Sequence, residues 1–241
     1  MPLLRAPELL PAPDVPTAVA VPGLGLTVDA WRAVAQRLAA AVPTAVLGIP
    51  SAGLPADRDS PVTPVAQADR LARRLAERGL LDAGPVVLLG HSASCQAVAE
   101  TARRHPSTVR GLVLVGPTTD PHAVPWPRLI GRWLATAAHE DPRRFPEILR
   151  EYLTTRLAGF LRTMRRARFH DLRATLAGSR VPVLVLRGPH DHIAPSAWLA
   201  ELARTRPGIE VATLPGGAHM VPVTHPVDVA RRVRCWAADA L

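Results

Sequence analysis

Ser92, Asp191 and His219 are the residues of this 241-residue chain whose types and placement could together perform nucleophilic chemistry. A neutral serine hydroxyl is a weak nucleophile. It needs an imidazole to take its proton and a carboxylate to hold that imidazole in the right tautomer. Ser92 lies in Pro85-Val86-Val87-Leu88-Leu89-Gly90-His91-Ser92-Ala93-Ser94-Cys95-Gln96, a short apolar strand that ends in Gly-x-Ser-x-Ser and runs into a helical stretch. A sharp strand-to-helix turn of this kind lifts one serine hydroxyl clear of its neighbours, and its flanks must be small. Gly90 meets that need. Ser94 stands where the common form of the turn has a second glycine, and its hydroxyl is expected to be dispensable. Asp191 ends the strand Leu184-Val185-Leu186-Arg187 through Gly188-Pro189-His190, and His219 follows Ala212-Thr213-Leu214 through Pro215-Gly216-Gly217-Ala218. Each candidate therefore sits just past the C-terminal end of a strand, where open α/β sheets place their ligands.

The elements that position them alternate strand and helix, which predicts a mainly parallel, doubly wound sheet covered on both faces. Expected strands are Thr17–Val21, Thr44–Gly48, Val86–Leu89, Gly111–Val115, Val183–Arg187 and Glu210–Leu214. Helices are expected at Val28–Ala41, Val65–Arg78, Ala93–His105, Ser196–Arg204 and Val227–Ala238.

On these motifs the chain resembles the α/β-hydrolase superfamily over nearly its whole length, in the branch with a serine nucleophile and a small helical lid. Val19-Ala20-Val21-Pro22-Gly23-Leu24-Gly25, with Trp31 beyond, is similar to that family's oxyanion loop, with Pro22 in place of the usual histidine. The resemblance implies that the backbone N–H groups of Leu24 and Ala93 form the oxyanion hole. Gly48-Ile49-Pro50-Ser51-Ala52-Gly53 matches the family's Asp-x-Pro-Gly-x-Gly loop without its aspartate. The family usually opens with an antiparallel hairpin, and the proline-rich residues before Thr17 leave room only for a shortened one.

The alternation breaks between Gly116 and Ser179, which divides the chain into a core of residues 1–116 and 179–241 and a helical cap of residues 117–178. Phe145, Ile148, Leu149, Leu153, Leu157, Phe160, Leu161 and Met164 recur every three or four residues as an amphipathic stripe. Arg143, Arg144, Arg150, Arg156, Arg162, Arg165 and Arg166 lie opposite. Trp126, Trp133, Leu157 and Phe160 are the expected lining of a substrate pocket for an apolar acyl or polycyclic group. The arginine face reads first as solvated surface and second as attraction for an anionic substrate or an acidic carrier.

Composition narrows the alternatives. A formal charge of +9 would suit nucleic acid, but all 29 basic residues are arginine, no basic run interleaves with aromatics, and aromatics are 4% of residues; nucleic-acid binding is not expected. The absence of lysine and asparagine, whose codons are A-rich, marks a GC-rich genome. It also removes Schiff-base and pyridoxal chemistry. Cys95 and Cys235 lack C-x-x-C spacing and read as packed free thiols in a reducing compartment. No apolar run reaches the roughly 18 residues of a bilayer span, and Met1–Pro16 shows no secretory leader, so a cytoplasmic protein is expected.

Each candidate has a plainer reading. Ser92 could be a helix N-cap, Asp191 could cap the helix at Pro195-Ser196, and His219 could be a buried loop histidine. Asp120, after the strand ending at Val115, is the rival acid. His190-Asp191-His192 offers adjacent residues that point to opposite sides, with no third ligand at metal spacing, so no metal and no organic cofactor is expected. His91 is assigned no chemistry. The leading function is hydrolysis of an ester or thioester through an acyl-enzyme. The alternatives are a bacterial natural-product tailoring enzyme that uses the same triad for lactonisation, C–C cleavage or cyclisation, and a non-catalytic binding protein of the same fold.

Overall fold

The structure, a computed structural model, describes residues 17–144, 146, 149–150 and 157–241, with side chains from residue 159 onward in the last segment. The shortened hairpin expected before Thr17 lies outside the described residues, as do Phe145, Ile148, Leu153 and Arg156 and the side chain of Leu157.

Six strands form one parallel sheet: β1 (Ala18–Val21), β2 (Thr44–Val46), β5 (Val86–His91), β6 (Val109–Val115), β7 (Val183–Arg187) and β8 (Ile209–Thr213), in the order β2-β1-β5-β6-β7-β8. A side pair, β3 (Ile49–Pro50) and β4 (Gly53–Leu54), forms where the expected second strand continued to Gly48; β2 stops at Val46. The strands read as near-continuous apolar runs because both faces are covered. Successive side chains alternate between two cores, as strand geometry requires. Val19, Val21, Val86, Leu88, Leu112 and Leu114 pack with α2 (Pro64–Glu77), α3 (Ser94–Arg104) and α7 (Ser196–Ala203). Ala18, Ala20, Val87, Leu89, Val113 and Val115 pack under α1 (Arg32–Ala39), α8 (Val221–Thr224) and α9 (Pro226–Ala240).

Local chemistry sets the helix starts. Thr63 accepts the N–H of Ala66 at 3.3 Å and Pro64 opens α2, a pairing of side-chain cap and preset φ. The helix expected from Val28 instead begins as a 3-10 turn, Val28–Trp31, before α1. Trp31 is anchored there, its indole N–H donating to Val21 O at 3.0 Å.

Between β6 and β7 lie α4 (Trp126–Ala137), α5 (Leu157–Ala167) and α6 (Leu172–Ala177). Leu172 and Leu176 of α6 are fully buried in the same core as the strands, although the sequence reading counted them with the cap. The inward face of α5 differs from the expected stripe: Gly159, Thr163 and Ala167 are buried, and Leu161 is 47% exposed. Small residues win because the helix lies close against core loops. The Thr163 hydroxyl is 2.9 Å from that of Ser51, and a Cβ on Gly159 would meet Ala56 at 3.0 Å. On α4, Ile130, Trp133 and Leu134 are exposed. Cys95 is buried, whereas Cys235, expected to be packed, is exposed on α9. No helix among the described residues is long and apolar enough to cross a membrane.

Overpacking at Gly159 should be felt directly. Gly159→Val should lower Tm by about 5 °C in thermal melting, the scale of a crowded contact in a chain of this size. Leu161→Gln should leave Tm within about 1 °C, as for an exposed position.

Candidate active site

The sheet register brings the loops together. Val21 lies beside Gly90, His91 beside Val115, Val115 beside Leu186 and Arg187 beside Thr213, so the C-terminal ends of β1, β5, β6, β7 and β8 share one edge. Ser92 occupies the left-handed region with φ 56°, where an L side chain is strained. Its N–H donates to Val115 O at 2.9 Å, fixing the turn to the neighbouring strand. Gly90 permits the sharp turn: a Cβ there would lie 2.8 Å from the Val98 side chain and 3.0 Å from the Cys95 backbone.

The three candidates meet. The Ser92 hydroxyl donates to His219 Nε2 at 2.9 Å, and His219 Nδ1 donates to Asp191 Oδ2 at 2.8 Å. The carboxylate can only accept, which sets the tautomer with the hydrogen on Nδ1. Asp191 is fully buried, and its Oδ1 accepts the N–H groups of Ile193 and Ala194, both at 2.9 Å. Burial opposes its charge, but the attraction of His219, its hydrogen bond, the Ala194 N–H and Arg187 outweigh that and lower the Asp191 pKa. Burial likewise opposes protonation of His219, yet the charge and hydrogen bond of Asp191, with the charge of Glu140, raise its pKa above the ordinary histidine value. Such an arrangement can take the Ser92 proton onto Nε2 and spread the resulting charge toward Asp191.

Asp120, the rival acid, is elsewhere engaged. It is buried in an ion pair with Arg132 and accepts the His122 N–H at 2.8 Å. His91 donates from Nε2 to His219 O at 2.9 Å, and burial, aided by nearby His219, pushes its pKa down to about 3, which keeps the ring neutral. His190 and His192 both lie against His139, with ring centroids at 4.7 and 5.5 Å. Among the described residues no group of three His, Cys, Asp or Glu side chains is placed to hold a metal ion.

The N–H groups of Leu24 and Ala93 make no backbone hydrogen bond among the described residues. The loop bearing Leu24 is held on either side of it, by Gly25 N–H donating to Ser51 O at 2.8 Å and by Ser94. Ser94 was read as a departure with a spare hydroxyl. Instead it is buried and donates to Pro22 O, tying the loop of Leu24 to the helix that begins beside Ala93. Only a contact 72 residues away in sequence reveals this role, so the motif alone gave no signal for it. Two further residues were missed. Arg187 is buried and donates to the carbonyls of Asp191 at 2.9 Å and Ala194 at 2.8 Å, knitting the acid loop. Gly116, with φ 56°, leaves room that a Cβ would take 2.9 Å from His219 Nδ1 and 3.0 Å from Asp191 Oδ2.

The expected pocket residues are differently placed. Trp133 is 49% exposed, Trp126 lies under the Arg168 guanidinium at 4.7 Å, Phe160 is half-buried, and the Leu157 side chain lies outside the described residues. A cavity of about 610 Å³ opens instead along α5 and the turn after it, lined by Leu161, Arg162, Arg165, Arg166, Arg168 and Phe169.

Comparison with known proteins agrees with this architecture. A profile described as "Alpha/beta hydrolase family" matches residues 18–232. A pimeloyl-[acyl-carrier protein] methyl ester esterase of Yersinia pseudotuberculosis is 24% identical, with 90% of this chain and 91% of that protein covered. Among solved structures, a thermophilic esterase from Thermogutta terrifontis superposes with a TM-score of 0.73 at 21% identity, covering 94% of this chain and 90% of that one. A hydrolase from Oleispira antarctica gives 0.76 at 15% identity, covering 92% and 90%.

The geometry ranks the carboxylates. Asp191→Asn should lower kcat by about 10⁴, the scale known for a lost tautomer in such an arrangement, and should move the acidic limb of the kcat/KM profile to lower pH. A base at His219 must be neutral, and its raised pKa puts that limb above the ordinary histidine value until Asp191 is lost. Asp120→Asn should leave both nearly unchanged. A pH–rate series on the two variants checks this. Ser94→Ala, which frees Pro22 O, should lower kcat by about tenfold or more, toward the scale of a misplaced oxyanion donor.

Proposed function

The chain belongs to the alpha/beta hydrolase family and is an enzyme of it, and we propose that it is a serine hydrolase that cleaves a carboxylic ester or thioester through an acyl-enzyme. The observation that carries this reading is the continuous Ser92–His219–Asp191 relay at 2.9 and 2.8 Å, with Ser92 on a strained turn. In the proposed reaction, Ser92 Oγ attacks the substrate carbonyl carbon while His219 Nε2 takes its proton. The Leu24 and Ala93 N–H groups donate to the oxyanion, and Asp191 offsets the charge on the imidazolium. His219 returns the proton to the leaving alcohol or thiol. Water, deprotonated in turn by His219, releases the acid and restores Ser92.

Residues 117–178 are assigned in this reading as a cap over the sheet edge, apart from α6, whose Leu172 and Leu176 pack in the core. The arginine-lined cavity is assigned to a negatively charged part of the substrate, with Leu161 and Phe169 beside its apolar chain. Support comes from the lining itself: Arg165 and Arg166 have no ion pair among the described residues, and planar guanidinium groups suit carboxylate and phosphate oxygens. The curated relative from Yersinia pseudotuberculosis has an acyl-carrier-protein ester as its named substrate, which agrees with an anionic acyl substrate or acidic carrier here.

A fluorophosphonate probe should add one label, mapped to Ser92, and labelling should vanish in Ser92→Ala; a label that survives overturns the assignment. Arg165→Ala combined with Arg166→Ala should raise KM about tenfold for an acyl ester bearing a distal carboxylate and leave a neutral ester of equal length unchanged. The difference should shrink as salt is raised from 20 to about 500 mM, as screening requires.

A further inference from the structure

Glu140, just beyond α4, has a carboxylate drawn in beside the catalytic base candidate. Its Oε1 accepts two successive backbone N–H groups, those of His219 at 2.8 Å and Met220 at 2.9 Å. Its Oε2 is shut off from water without a hydrogen-bond partner. No arginine pairs with it among the described residues; the charged groups that act on it are His219, which attracts its charge, and Asp191, which repels it. The same turn of chain also reaches the acid loop, where Thr136 Oγ1 accepts the His192 N–H at 3.0 Å and His139 stacks on His190 at 4.7 Å.

Two backbone donors could be satisfied by a neutral carbonyl or amide at far lower desolvation cost. A carboxylate with one orphaned oxygen is a poor choice for a structural tie, because burial opposes its charge and no arginine pairs with it among the described residues. A cation does arise beside it during the reaction: the His219 imidazolium formed when Ser92 gives up its proton. An interaction weak in the resting enzyme and strong at that moment lowers the barrier.

We propose that Glu140 is a positioning residue for His219, a second carboxylate that holds the His219 loop by its backbone and favours the imidazolium through its charge. The inference rests on His219 being the general base of the proposed hydrolysis. Asp191 acts on the ring through Nδ1, and Glu140 acts from the backbone side, so the two do not compete for one hydrogen. Burial, the leading influence, raises the Glu140 pKa, as it does for a carboxylate short of partners. Its charge is therefore withdrawn at a higher pH than an exposed glutamate would lose it.

Glu140→Gln keeps an acceptor of the same shape and removes the charge; Glu140→Asp keeps the charge on a shorter stem; Glu140→Ala removes both. kcat and KM are read across pH 5–9 on a neutral p-nitrophenyl ester, with Tm for each variant. The expected result for Glu140→Gln is kcat lower by about tenfold, the scale of losing a group that orients a reacting side chain, with KM within about twofold. Its acidic limb should move to lower pH, because His219 loses a group that raises its pKa, while Glu140→Asp keeps the limb near the wild-type position. Should Glu140→Gln not fold, Glu140→Ala carries the same comparison. A neutral variant whose limb and kcat coincide with wild type overturns the proposal, as does a kcat loss that tracks Tm with an unmoved limb. Fluorophosphonate labelling separates this from the hydrolase reading: if His219→Ala still labels at the wild-type rate, the base assignment itself fails, and if labelling is lost while the Glu140→Gln limb stays put, only the role of Glu140 fails.

Discussion

A carboxylate fully removed from water must be surrounded by donors, and the Asp191 side chain imposes that requirement on everything near it. Two backbone N–H groups from its own loop and the His219 ring meet it directly. Arg187 lies one layer out, holding the loop by its carbonyls while its charge favours the anion. Space for the pair is made by Gly116 on one side, and on the other by Gly188, where a Cβ would lie 2.4 Å from the carbonyls of Gly217 and Ala218. The His219 loop can pass so close to the Asp191 loop because both crossings lack side chains. Once the carboxylate is fixed, the imidazole plane is fixed, and the Ser92 hydroxyl lies within reach only because its strained turn projects it toward Nε2.

What the sequence disclosed and what it hid follow from distance along the chain. β7 was read with its observed ends because Val183-Leu184-Val185-Leu186-Arg187 is apolar throughout and stops at Gly-Pro. Ser92, Asp191 and His219 were legible because each ends a strand through a recognisable turn. β3 and β4 escaped, being two residues each and too short for any periodicity. Ser94, Arg187 and Glu140 escaped for another reason: their partners are loop carbonyls and backbone N–H groups, which leave no trace in residue type. The apolar stripe misled at Leu161 because periodicity reports which face is greasy, whereas close docking selects the face that is small. Gly159, Thr163 and Ala167 make that face.

The charge of +9 has a local expression as well as a global one. Several arginines act as backbone clamps: Arg162 donates to the carbonyl of Arg58 at 2.7 Å, Arg206 to that of Leu176 at 3.0 Å and Arg168 to that of Val124 at 3.1 Å. A guanidinium has five N–H donors in a rigid fork and suits this work, which a lysine ammonium would do less well. Part of the basic surplus therefore reflects a chain that closes its loops with arginine, and the cavity beside α5 sets two such clamps, Arg162 and Arg168, beside Arg165 and Arg166.

The spread of the relay along the sheet also orders events during synthesis. β5, β6, β7 and β8 are neighbours in the sheet in the same order as they leave the ribosome, so this half can add strand by strand to the edge of β1 that β2 leaves free. Ser92 is made early, yet its hydroxyl has no imidazole to bond until residue 219 of 241 has emerged and crossed Gly188. A growing chain thus carries the Ser92 hydroxyl without its imidazole partner until the His219 loop has been made. The hydrogen-bonded trio is completed at the end, together with the closing of the final loop.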